Sequence, residues 1–124
     1  MNSKLSMVLR LLLGLVMLVF GLNKFLLFIE MPAPPDDAGA FYGAMAATGY
    51  LFSLVAITEI AVGVMLLLDK WSNFALVLIA PVSVNIVLFH IFLDPMGGMV
   101  GFLLAIINIL LIWDRWDAYK SLFN

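Results

Sequence analysis

Four stretches of this chain are so long and so apolar that lipid, and not water, has to be the solvent around most of it. They run approximately from Leu5 to Phe28, Tyr50 to Leu68, Trp71 to Leu93 and Met96 to Trp113. Crossing the roughly 30 Å hydrocarbon layer takes about 20 apolar residues in a helix, and each stretch comes close to that. Composition closes the alternative. Of 124 residues, 65% are hydrophobic and 11% charged, against roughly 45 to 50% and 25% in soluble domains. A soluble globule of this size could not cover its surface with so few polar groups. The expected fold is therefore all-α. It is an integral, multi-pass four-helix bundle of the cytoplasmic membrane, a single domain over residues 1–124.

The polar breaks set topology. The long one, residues 29–49, opens with Glu30, Pro32, Pro34, Pro35, Asp36 and Asp37; proline keeps its start out of a helix. Its second half lacks proline and carries Phe41, Tyr42 and Met45, the makings of a short helix lying at the membrane surface. Asp69 with Lys70 is a turn, and Asp94 with Pro95 makes a tight one, so the last two helices are expected to be antiparallel neighbours. Pro81 falls inside the third stretch, where neighbouring helices can satisfy the freed backbone groups. With four crossings, Lys4, Arg10, Lys70, Arg115 and Lys120 share one side, while Glu30, Asp36, Asp37 and Asp94 share the other. Basic residues collect in the cytoplasm, which puts both termini inside and the proline-rich loop outside. Lys24, near the outer side, is the exception. The first stretch follows basic residues as a signal peptide does, but it is long and no small-residue cleavage motif follows, so a retained helix is expected.

Several function classes fall away. A net charge of -2 without a basic block offers no face for nucleic acid. Zero cysteines and one histidine leave no thiol redox chemistry, no bis-histidine haem and no metal site held by this chain alone. The eight methionines have no spacing that suggests a metal path, and filling of an irregular core accounts for them.

Inside the apolar stretches, polar residues share faces with small ones. Arg10, Gly14, Met17, Gly21 and Lys24 recur at steps of four and three, as do Gly49, Phe52, Ala56, Glu59 and Gly63. Such steps align residues on one helix face. Gly97, Gly101, Ala105 and Asn108 repeat the pattern in the last stretch. Small residues let backbones approach, and polar side chains in hydrocarbon turn toward the bundle interior. Counting 1.5 Å per residue from the outer end puts His90 about 5 Å deep, Lys24 about 6 Å, Asn85 about 12 Å and Glu59 about 14 Å. These four form the candidate ligand-binding cluster. Arg10, Gly14, Gly21, Gly63, Gly101 and Asn108 are assigned structural roles, with Asn108 and Asn23 as interhelical hydrogen-bonding residues. Three plain alternatives remain open: Lys24 and Glu59 can simply neutralise each other and fix register, His90, about 140° around its helix from Asn85, can be a satisfied interfacial histidine, and Arg10 can reach to headgroups.

The segments Arg10 to Gly14, Phe20-Gly21-Leu22-Asn23-Lys24-Phe25, Thr48-Gly49-Tyr50, and Glu59 with Gly63 and Leu66-Leu67-Leu68 resemble the DoxX family of small four-helix membrane proteins. The resemblance runs from Arg10 to about Asn108 and rests on the order of the Gly-x-x-Lys and Glu-x-x-x-Gly elements. Members of that family are bacterial and archaeal, and the founding ones are linked to quinol oxidase or thiosulfate:quinone oxidoreductase complexes. The resemblance thus implies quinone-linked redox chemistry, with the basic position on Lys24 and the acidic one on Glu59. No intrinsic cofactor is expected. The chain has neither cysteines nor a phosphate-cradling glycine loop, so any electron-carrying cofactor belongs to a partner, and whether this chain is itself an enzyme stays open.

Three functions compete. The first is an accessory subunit whose Lys24 and Glu59 orient the head of a quinone or another lipid-like ligand. The second is a proton or small-solute pathway, which with four helices would need a homo-oligomer. The third is a purely structural subunit of a membrane complex.

Overall fold

The computed structural model describes residues 1–30 and 33–124, and every described regular element is helical. The expectation of a non-helical backbone at Pro32 lies outside those residues. Helix α1 spans Ser3–Leu26, α2 Asp36–Ala47, α3 Leu51–Leu68, α4 Ser72–Phe92 and α5 Met99–Asp114. The chain ends in a one-turn helix, α6 (Trp116–Tyr119), and a 3-10 turn.

Local chemistry sets the ends. Asn2 caps α1, its Oδ1 accepting from the Lys4 N–H at 2.7 Å, which satisfies one of the orphan donors of a helix start. At the other end Leu27 turns left-handed (φ 53°). Asn23 holds the departing chain there: its Oδ1 accepts from the Ile29 N–H at 2.7 Å and its Nδ2 donates to the Ile29 carbonyl at 3.3 Å. Asn23 is therefore a local clamp on the exit from α1, and not the interhelical residue that its place in an apolar stretch suggested. Between α3 and α4 the turn is three residues long, with Asp69 and Trp71 both at positive φ. The Ser72 hydroxyl donates to Asp69 Oδ1 at 2.7 Å, and that bond draws the Asp69 carboxyl below its ordinary range.

Helix α1 packs chiefly on α3, α3 on α4, α4 on α5, and α5 returns to α1. The core between them includes Leu13, Met17, Val62, Leu66, Leu76 and Leu111, all at or near zero exposure. Leu15, Ile57 and Ile109 stand outward, as they do where the surroundings are lipid. Three helices, α1, α3 and α4, are long and apolar enough to cross a membrane. Helix α5 is shorter. Its 16 residues reach about 24 Å, and the continuation beyond it is bent by 76°, so it counts as a span only together with that bent piece.

The α1–α3 seam is the closest contact. A Cβ added to Gly63 would lie 2.7 Å from the Leu18 nitrogen and 2.8 Å from the Gly14 carbonyl oxygen. One on Gly14 would lie 2.9 Å from Leu66 Cβ, and one on Gly21 would lie 3.0 Å from the Ala56 carbonyl oxygen. Backbone meets backbone there, which only glycine allows. Gly101 plays a milder part between α4 and α5, because its added Cβ would meet side-chain atoms of Ile86 and His90.

Candidate functional site

The seam carries the site. Lys24, in the last turn of α1, and Glu59, at the middle of α3, project from the same tightly packed faces, and Lys24 Nζ lies 2.7 Å from Glu59 Oε1. The glycines bring the two helices close enough for this contact: Gly21 sits one turn before Lys24 and Gly63 one turn after Glu59 on the same stripes. Glu59 is only 4% exposed, whereas the Lys24 side chain is 24% exposed. At that distance the contact is a charge-assisted one between ammonium and carboxylate, and it occupies Oε1. An ammonium carries three donors, and this contact does not exhaust them.

One aromatic ring borders the pair, and three more cluster where α2 meets α4. The Phe52 ring lies 6.0 Å from Lys24 Nζ, at the outer limit of cation–π attraction. From α2, Tyr42 stacks obliquely on Phe89 of α4 at 4.9 Å, and Phe41 meets the same ring at 5.5 Å. Burial raises the Tyr42 hydroxyl above its ordinary pKa, and the nearby Asp94 and Glu59 carboxylates raise it further. Helix α2 thus leans on the protein, with Ala38 and Met45 buried beneath it. The involvement of Tyr42 and Phe89 was not legible in the spacing, because it depends on how the loop folds back. The run Phe41-Tyr42 in a short proline-free helix was the one available signal.

The other residues of the expected cluster stand elsewhere. Asn85 is exposed on the outward side of α4 and does not join Lys24 and Glu59. Depth alone had grouped it with them, but the inward face of that helix carries Ile79, Ser83 and Phe89, and Asn85 follows Ser83 by about 200° of rotation. His90 is half-buried and faces α5. Its Nδ1 lies 3.1 Å from the Asp94 carbonyl oxygen, and its ring meets Phe89 edge-on at 5.1 Å. It caps the turn into α5, apart from the ion pair. The cluster therefore reduces to Lys24 and Glu59 with aromatic neighbours.

The structural residues divide similarly. Asn108 is 1% exposed and its Nδ2 donates to the Leu76 carbonyl at 3.1 Å, tying α5 to α4. Arg10 does not reach out to headgroups. It is buried, donates to the Leu66 carbonyl in the last turn of α3, and lies 3.6 Å from Asp69 through Nε. A cation at a helix C-terminus satisfies orphan carbonyls and complements the dipole. No group of three metal-ligating side chains occurs among the described residues.

No curated protein and no solved structure matches this chain. The DoxX family model does, over residues 5–91. That span holds both helices of the seam, the ion pair and nearly all of α4, but it stops short of α5, and so of Gly101 and Asn108. With well over half of its length matched, and with the Gly-x-x-Lys and Glu-x-x-x-Gly elements meeting face to face in the matched part, the chain belongs to the DoxX family.

Proposed function

We propose that this membrane protein binds the polar head of a quinone or a similar lipid-like molecule at Lys24 and Glu59, as an accessory subunit of a membrane redox system. One observation carries the reading. A carboxylate 4% exposed sits in an apolar seam, paired at 2.7 Å with an ammonium whose side chain is still 24% exposed. Charged groups kept in an apolar seam usually serve a ligand or a pathway, and the ammonium has donors beyond the one Glu59 takes. Lys24 can donate to a carbonyl oxygen, Glu59 can accept from a hydroxyl, and Phe52 offers a ring face 6.0 Å from the ammonium. A quinone and its reduced form present those two groups in turn. When bound it would supply the electron-accepting chemistry that no side chain of this chain has.

The topology that fits this reading has α5 as a fourth crossing in the cytoplasmic membrane, both termini inside, and α2 lying at the outer surface above the site. Its support is the distribution of Lys and Arg. Since the chain has no native cysteine, single cysteines at residues 2, 37 and 124 label unambiguously. An impermeant reagent on intact cells is expected to reach only residue 37. Labelling at 2 or 124 with none at 37 reverses the orientation.

The functional test is retention of ligand. Protein purified in mild detergent is expected to hold quinone near stoichiometry and to take up a short-tailed benzoquinone, and Glu59→Gln with Lys24→Met is expected to abolish both. Equal uptake by wild type and the double variant rejects the proposal. Proton or solute flux in vesicles that disappears with Glu59→Gln supports a pathway instead, and a protein showing neither activity is structural.

A further inference from the structure

Lipids carry their polar groups at the two surfaces of the bilayer, so a hydrogen-bonding side chain that faces outward from the middle of a span can be satisfied only by another polypeptide or by its own helix. Two outward residues test this. Thr58 of α3 is partly exposed, and its hydroxyl folds back to donate to the Leu54 carbonyl at 2.9 Å. Asn85 of α4 is also exposed, seven residues or about 10 Å inside the outer end of that helix. A carboxamide has two N–H donors and a carbonyl oxygen with two lone pairs, more than its own helix can meet. One turn earlier on the same outward side stands Pro81. Having no N–H, it leaves the Val77 carbonyl without its helical partner. Asn85 and this carbonyl give one face of α4 two open hydrogen-bonding groups within the hydrocarbon.

We propose that two copies of this chain associate through this face of α4, with the Asn85 amides pairing across a two-fold axis along the membrane normal. A carboxamide is self-complementary, donor to acceptor and acceptor to donor. A second copy inserted in the same orientation brings Asn85 to the same depth with no further requirement, while an unrelated helix would have to match that depth independently. The neighbouring outward residues Leu78, Val84, Leu88 and Phe92 supply apolar surface on either side. The seam between α1 and α3 lies elsewhere in the bundle, so association leaves the Lys24–Glu59 pair as it is.

The absence of native cysteine makes cross-linking decisive. Leu88→Cys on α4 and Ile57→Cys on α3 are comparably exposed, at 46% and 56%, and lie at similar depth. Under mild oxidation in native membranes, Leu88→Cys is expected to give a disulfide-linked dimer and Ile57→Cys little. Adding Asn85→Leu is expected to lower the Leu88→Cys dimer roughly three- to tenfold, the size of one interhelical polar contact, while Asn85→Gln, which keeps the amide, retains it. Thermal stability of the Asn85→Leu monomer is expected to be unchanged, because the residue faces outward. Equal cross-linking at both positions, indifference to Asn85→Leu, or capture of Leu88→Cys only by other proteins overturns the proposal.

Discussion

The α1–α3 seam and the α4–α5 flank are built from similar apolar residues, yet they pack by different rules. In the seam, Gly14, Gly21 and Gly63 let backbones touch, and the two charges of Lys24 and Glu59 are pressed together at 2.7 Å. On the flank, side chains fill the space incompletely. A cleft of about 240 Å³ opens between α4 and α5, and on its wall the Ser83 hydroxyl is buried without a hydrogen-bond partner among the described residues. Asn108, whose amide holds the Leu76 carbonyl, also lines that cleft. The difference teaches that in lipid, where hydrophobicity does not draw helices together, residue size and polar contacts decide which pair is rigid. The seam has both. The flank relies on the Asn108 hydrogen bond within the span, on Arg115 and Tyr119 bonding to Asn73 at one end, and on Gly101.

If that contrast is right, substitutions of the same kind should differ in cost by where they fall. The largest effect is expected for Gly63→Leu. Its Cβ alone would meet the Leu18 nitrogen and the Gly14 carbonyl oxygen, and backbone atoms cannot move aside as side chains do. Overpacking costs about 1 to 3 kcal/mol and occasionally more, and with backbone atoms as the obstacle the upper end is expected, so the yield of folded protein after detergent extraction should fall sharply. Gly101→Leu, which meets only side chains, should be milder. Equal loss in the two variants would erase the distinction between seam and flank.

Asn108→Val should come next. It leaves the Leu76 carbonyl without its side-chain donor, which costs about 1 to 3 kcal/mol, and the loss should appear as a lower melting temperature in detergent with the ion pair unaffected. The smallest effect is expected at the end of the seam nearest the α3–α4 turn, for Asp69→Asn. Asp69 is more than half exposed, and surface ion pairs contribute about 0 to 1 kcal/mol. Its pH dependence has a definite sign. The Ser72 hydroxyl holds the folded carboxyl more acidic than its ordinary 3.8, so its contribution is complete above that pH and fades as pH falls through the lower folded value. Asp69→Asn should remove that acid-side slope and leave stability near neutrality almost unchanged.

How far the sequence led differs between the same two regions. The positions of the apolar helices follow from length and hydropathy, and the pairing of Lys24 with Glu59 follows from two facts readable in one dimension, shared helix face and compatible depth. Asn85 shows where such reading stops, since depth without rotation put it beside Glu59 while the helix turns it outward. Asn23 failed differently. Its side chain serves the backbone six residues on, a local need that a left-handed turn after α1 creates and that no apolar pattern announces. Tyr42 and Phe89 meet only because the segment between α1 and α3 folds back onto α4, which is tertiary information.

The central claim is that Lys24 and Glu59 act as one unit, and a double-mutant cycle in detergent tests it most directly. Glu59→Gln or Lys24→Met alone leaves a charge buried without its partner, at a typical cost of about 3 to 5 kcal/mol unless the stranded group changes protonation. Replacing both removes the two charges together and is expected to recover most of that loss, giving a coupling of about 2 kcal/mol or more, within the range seen for residues in contact. Single-variant losses that simply add in the double variant, with coupling near zero, would contradict the pair and with it the site.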